Sequence, residues 1–260
     1  YVTGQTIYVE LQGEWRRAVV GHSAFSDISA AVNNAQTGDT IMITAGTYSD
    51  AITIAKGIKI KGAKAGINPT DMNDSDFGRN PERADQNEET IFTAQITLKS
   101  GISGLAVDGV MLTGGGFFRY DFTGHTNGLT LENILLTKNN VSYGLIYKAR
   151  NDAGNSILTN FVLRNCRFEE TATSYVTCAG SLASSTFEGN VYYKTKSGNG
   201  HYIGGTNGGT NSVIAFKNNV WYNCTGTNLV QSADGSETGN PNARADASYL
   251  FDGNRYIDCS

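Results

Sequence analysis

Proline and charge are both scarce in this sequence: 3 prolines in 260 residues, and 17% of residues charged. The 31 glycines follow no Gly-X-Y period, which excludes a collagen-like chain. A net charge of only −4 with 10% aromatics is unlike a disordered segment. No apolar run approaches the roughly 18 residues of a membrane span, so none is expected. There is no basic excess, and a pI near 5.4 argues against a nucleic-acid partner. Four cysteines are too few for a disulfide scaffold. His22, His125 and His201 stand apart, and no Cys/His spacing points to zinc. An initiating methionine and a signal-peptide core are missing too. The chain starts at Tyr1 and reads as a processed or excised piece.

What is present is a repeated phrase of six residues: apolar, any, Gly or Asn, any, any, large apolar. It reads Val107-Asp-Gly-Val-Met-Leu112, Leu131-Glu-Asn-Ile-Leu-Leu136 and Leu163-Arg-Asn-Cys-Arg-Phe168. It continues as Phe187-Glu-Gly-Asn-Val-Tyr192, Phe216-Lys-Asn-Asn-Val-Trp221 and Phe251-Asp-Gly-Asn-Arg-Tyr256. The spacing between phrases varies from 24 to 35 residues, while the phrase itself stays constant. Side chains alternate along a strand, and a central Gly or Asn supplies the left-handed residue of a sharp bend. The phrase therefore predicts two short strands joined by a corner, with its first and last residues facing one interior. Stacking phrases about 4.8 Å apart puts like on like. Val107, Leu131, Leu163, Phe187, Phe216 and Phe251 form one interior column. Leu112, Leu136, Phe168, Tyr192, Trp221 and Tyr256 form a second. Asn190, Asn219 and Asn254 form an amide ladder between them. The fold class is all-β: a single-stranded parallel β-helix with a short N-terminal capping helix. One domain spans residues 1–260. Residues 1–62 are the cap and first coil, 67–90 an acidic insertion loop, and 91–260 the repeated coils.

The N-terminal third is read as a helix from Ser26 to Gln36, a strand Thr40–Thr44, a turn Ala45–Tyr48, and strands at Ile52–Ile54 and Ile58–Ile60. Phe25-Ser-Asp-Ile-Ser-Ala-Ala-Val, Gly38-Asp-Thr-Ile-Met-Ile, Ala45-Gly-Thr-Tyr and Ile58-Lys-Ile-Lys-Gly62 resemble the start of right-handed, pectate-lyase-like β-helix proteins. Ala65-Gly-Ile-Asn-Pro69, Arg83 and Glu89-Thr-Ile91 resemble a subgroup of secreted and surface proteins of Bacteroidetes. The resemblance covers most of the chain. It implies a right-handed helix and an extracellular or cell-surface setting. It does not select an activity, because lyases, esterases and adhesins share these motifs.

Lyases of that superfamily need a base and a neutraliser for the substrate carboxylate, and no residue set here matches one of theirs. The catalytic candidates, should the chain be a lyase, are Lys148 and Arg150, on one face after Tyr147. Candidate glycan contacts are Arg119, Tyr120, Tyr143, Tyr147, Tyr175, Lys194, Lys196, His201 and Tyr202. Cations beside aromatic rings suit an acidic sugar, although they also suit a plain solvated sheet face. No cofactor is required by any motif. Calcium is one candidate: Asp74-Ser-Asp-Phe-Gly78 places Asp74 and Asp76 as in part of a calcium loop, without its closing Glu. Cys224 and Cys259 each follow a phrase start by eight residues. They should stack in adjacent coils, within disulfide range or as a reduced column. Cys166 takes the position of Asn190 and should face inward. The last phrase ends at Tyr256 with no capping helix after it, which predicts either continuation of the chain or self-association through the open coil. Three functions stay open: a non-catalytic polysaccharide-binding surface protein, a polysaccharide lyase on an acidic glycan, and a structural spacer.

Overall fold

The computed structural model describes residues 8–11, 14–17, 28–99, 101–120, 126–139, 143–147, 157–170, 175–178, 181–195, 199–203, 213–225, 228–232 and 248–260. Among the described residues strands dominate, with one α-helix at Ile28–Asn34. That helix buries Ile28, Ala31 and Val32. Lys56 Nζ caps its C-terminal end, donating to the carbonyls of Asn33 at 2.6 Å and Ala35 at 2.7 Å.

Three large sheets dominate the fold, and a small fourth one holds Thr126–Asn127, Ile157–Thr159 and Ser181–Ala183, each falling between a strand of sheet three and the next strand of sheet one. Sheet one holds Thr40–Met42, Lys59–Lys61, Ala106–Asp108, Thr130–Glu132, Val162–Arg164, Ser185–Glu188, Val213–Lys217 and Ser248–Asp252, in that order. Sheet two holds Gly46–Tyr48, Thr90–Phe92, Met111–Gly114, Leu135–Asn139, Arg167–Glu169, Val191–Tyr193, Val220–Tyr222 and Arg255–Ile257. Sheet three holds Ile52–Ile54, Gln95–Leu98, Phe117–Tyr120, Tyr143–Tyr147, Tyr175–Cys178, Asn199–Ile203 and Asn228–Ser232. From Thr40 onward the chain visits sheets one, two and three in fixed cyclic order. Each such circuit adds one parallel strand to each sheet. The exception is at the start of sheet one, where Tyr8–Leu11 pairs antiparallel with both Glu14–Arg17 and Thr40–Met42. The segment Ala45–Tyr48, expected as a turn, is in part the first strand of sheet two, because Gly46–Tyr48 pairs with Thr90–Phe92.

Both interior columns have the register that the phrase predicts. Val107, Leu131, Leu163, Phe187, Phe216 and Phe251 are successive partners in sheet one. Leu112, Leu136, Phe168, Tyr192, Trp221 and Tyr256 are successive partners in sheet two. Aromatic neighbours stack nearly flat: Tyr192 and Trp221 lie 4.8 Å apart at 8°, and Phe187 and Phe216 lie 4.6 Å apart at 10°. Ile41 and Ile60 extend the first column beyond the six phrases, and Tyr48 and Phe92 extend the second.

The corner between sheets one and two uses a left-handed residue in every phrase: Gly109, Asn133, Asn165, Gly189, Asn218 and Gly253. At Gly109 a side chain is excluded twice over. Its φ is +70°, and a Cβ would lie 2.1 Å from the nitrogen of Ala65. The next position carries the ladder. Asn190 Nδ2 donates to Asn219 Oδ1 and Asn219 Nδ2 to Asn254 Oδ1, each at 3.0 Å, and each amide also donates to a carbonyl of the circuit before. Cys166 holds the same position, buried, and its N–H donates to Asn190 Oδ1.

Candidate functional site

Residues that could meet a ligand lie on the outer faces of the three sheets, and those faces differ. Sheet one carries the outer column Lys61, Asp108, Glu132, Arg164, Glu188, Lys217 and Asp252. Opposite charges neighbour one another along it except at Asp108 and Glu132. Arg164 donates to Glu132 through Nε and Nη2, and that hydrogen bond holds its guanidinium pKa above the ordinary value. On this face Glu132 is thus neutralised by Arg164, and Asp108 accepts from the Asn133 amide at 2.7 Å.

Sheet two is covered. Its outer column runs Ile91, Met111, Leu135, Arg167, Val191, Val220 and Arg255. All but Arg255 are buried. The acidic insertion lies over it as a strap. Arg83, fully buried, pairs with Glu89 and donates to the carbonyls of Ile67 and Asn133, both at 2.9 Å. Farther along, Phe77 is buried with Val191 and Val220 and packs against Tyr193, Tyr222 and Ile257. The Arg255 guanidinium sits 4.6 Å from the Phe77 ring centroid. Arg167 Nη1 donates to the Phe77 carbonyl at 2.6 Å. Glu169 accepts from both Arg167 and Arg79. Burial alone would raise the Glu169 pKa, but those two guanidiniums outweigh it and hold the carboxyl below its usual range.

The strap also answers for the calcium candidates. Asp74 accepts from the N–H groups of Asp76 and Gly78, both at 3.0 Å, and Asp76 accepts from the Tyr222 hydroxyl. Asp71 and Asp85 turn onto the N–H groups of Asn73 and Asn87. Among the described residues no group of three or more His, Cys, Asp or Glu stands together to hold a metal ion.

Sheet three is the face where several glycan candidates share strands. Arg119 is exposed, while its neighbours Phe118 and Tyr120 are buried. Tyr120, expected as a contact, is therefore a core residue. Strand alternation turns it inward, and its hydroxyl donates to Thr126 Oγ1. The register column of Arg119 runs Thr53, Thr97, Arg119, Tyr147, Cys178, Tyr202 and Gln231. Tyr143 and Tyr175 share a second column with Asn199 and Asn228. His201 pairs with Thr177 and Val230, outside both columns. Lys194 is elsewhere: it forms the bend after sheet two, with its ammonium 4.9 Å from the Tyr193 ring centroid. Lys148, Arg150 and Lys196 lie outside the described residues.

The cysteines divide by environment. Burial pushes the Cys166 thiol up to about 12, which makes it inert. Cys224, buried, and Cys259, exposed, are free thiols in adjacent circuits.

Sequence reasoning missed the strap. Arg83, Arg167 and Glu169 are polar residues at buried positions, and Phe77 sits in an otherwise acidic loop. The alternation Arg167-Phe-Glu169 marks two charges on one strand face, but it does not say what covers that face. No family model, no curated protein and no solved structure matches the chain.

Proposed function

We propose that the chain winds as a right-handed parallel β-helix and binds an acidic polysaccharide on the outer face of sheet three without cleaving it, at the cell surface or outside the cell. The observation that carries this reading is the register of Arg119, Tyr147 and Tyr202 in one column of that sheet. Adjacent strands are about 4.8 Å apart. A polymer laid along the column thus passes Arg119, then Tyr147, Cys178 and Tyr202, the cation suited to a carboxylate or sulfate and the two tyrosines to sugar faces. The other two faces support it by contrast. Sheet one pairs Arg164 with Glu132, and sheet two is occupied by the strap.

A panel of acidic and neutral polysaccharides, with and without calcium, tests the proposal by following both retention and polymer length. Acidic glycans are retained at unchanged length, and Arg119→Ala weakens retention at least severalfold while Lys217→Ala on sheet one leaves it unchanged. Shortened chains with unsaturated ends would replace this reading with a lyase, and Lys148→Ala and Arg150→Ala would then abolish turnover. No retention of any glycan would leave the structural spacer.

A further inference from the structure

We propose that Cys224 and Cys259 form a redox-closed tether between the last two circuits, made by thiol–disulfide exchange with a small disulfide such as oxidised glutathione. Three observations place the two sulfurs for this. The first is register. Trp221 pairs with Tyr256 and Tyr222 with Ile257. The ladder then continues, with Asn223 N donating to Ile257 O at 2.9 Å and Ser260 N donating to Cys224 O at 3.1 Å. Cys224 and Cys259 therefore face each other in adjacent parallel strand ends. A strand spacing of about 4.8 Å lies inside the Cα separations that disulfides span.

The second is side-chain direction. Cys224 Sγ donates to the carbonyl of Tyr192 at 3.1 Å, and Cys259 Sγ donates to that of Trp221 at 3.4 Å. Tyr192 and Trp221 are themselves register partners. Both thiols thus make the same contact one circuit apart, each leaning back toward the circuit before it. The Cys259 sulfur is directed to the circuit that holds Cys224. Thr195 occupies the matching place one circuit earlier and donates to Cys224 Sγ at 3.2 Å, so the column is Thr195, Cys224, Cys259.

The third is the difference in access. Cys259 is exposed and Cys224 is buried, with its pKa raised first by burial and further by Cys259. That difference sets the order of steps. The exposed Cys259 thiolate attacks one sulfur of the small disulfide, whose S–S bond breaks and releases one small thiol. Cys224 then gives up its proton to solvent and attacks Cys259 Sγ. The mixed disulfide breaks, a second small thiol leaves, and a Cys224–Cys259 bond remains. Two protein thiols are oxidised and one small disulfide is reduced to two thiols. The tether pins the circuit that contains Phe251 and Tyr256, both about half exposed.

The 260-residue chain without substitutions, fully reduced and then incubated with oxidised glutathione, tests this by thiol titration in denaturant and by peptide mapping. Two of its four thiols should be lost, with Cys224 and Cys259 found in one cross-linked peptide pair and no glutathione retained. Amide exchange in Tyr249–Phe251 should slow severalfold and return to its starting rate on reduction. Cys224→Ser should instead stop at a mixed disulfide on Cys259, with no slowing. Retained glutathione on the native chain, loss of no thiol, or a mapped bond that includes Cys166 or Cys178 would each overturn the proposal.

Discussion

Ion pairs anchor the strap: Arg83 and Glu89 pair within it through a guanidinium fork, and Glu169 of sheet two pairs with Arg79 of the strap and with Arg167 of its own strand. Arg83 and Glu89 are wholly buried, so removing either would strand a charge among apolar groups. Glu169 is the more informative of the carboxylates because it answers to two arginines. Its folded pKa lies below its ordinary value of 4.5, so its ionised form stabilises the fold. That contribution is complete above about pH 4.5 and is lost as pH falls through the lower folded value. Glu169→Gln leaves Arg167 and Arg79 without a charged partner and should cost about 3 kcal/mol at pH 7. The deficit should shrink as the pH falls through the lower folded value, where the native carboxyl also becomes neutral. Urea unfolding midpoints of both proteins across that range check it. A deficit that stays constant with pH would mean that the carboxyl does not ionise in linkage with folding.

Bends decide the geometry of the repeated element, and they are of two kinds. The corner within the phrase uses Gly or Asn, residues that adopt the left-handed conformation at low cost, and that chemistry is legible in the sequence. A second corner follows sheet two and is equally regular: Gly114, Lys138, Glu170, Lys194, Asn223 and Asp258 all have positive φ. Lysine and glutamate carry no such signal. Their conformation comes from the strands on either side, which register each circuit on the last and leave the connecting residue one allowed path. Lys138→Val tests this. A β-branched residue at φ near +50° should lower stability by about 1–2 kcal/mol, while Lys138→Gly should stay within about 1 kcal/mol of the native chain. Denaturant unfolding of the two variants compares them directly. The same contrast explains the Ala45–Tyr48 segment. Its Gly-Thr-Tyr reads locally as a turn, but Gly46–Tyr48 is extended by pairing with strand Thr90–Phe92, some 44 residues later at each register partner.

At the scale of the molecule, the strap gives the stack a feature that nearest-neighbour packing lacks. Repeats of this kind ordinarily contact only adjacent units. Here one segment leaves the chain after Lys61, touches the carbonyl of Asn133, and reaches Phe77 packing against Tyr222 and Ile257. It therefore couples circuits that do not touch one another. Phe77→Ala should cost about 3–5 kcal/mol. The loss should fall on the far circuits: amide protection should drop in Val191–Tyr193 and Val220–Tyr222 while Lys59–Lys61 keeps its own. Hydrogen exchange measured strand by strand checks this, and a uniform loss would show that the strap does not act as a separate link.

The sequence by itself determined the repeated phrase, its left-handed corner, both interior columns and the asparagine ladder. These follow from side-chain alternation and from the few residues that tolerate positive φ, and both are local properties of six-residue words. Tertiary structure alone decided where the acidic insertion lies, that Arg83 is buried with Glu89 and Glu169 with Arg167 rather than solvated, and that Tyr120 is core while Arg119 is exposed. It also decided which residues share a register column on sheet three. The spacers between phrases vary in length, so a column such as Arg119, Tyr147 and Tyr202 has no fixed spacing in the chain. It exists only once the strands have paired, because hydrogen-bond register, and not distance along the sequence, brings those residues side by side.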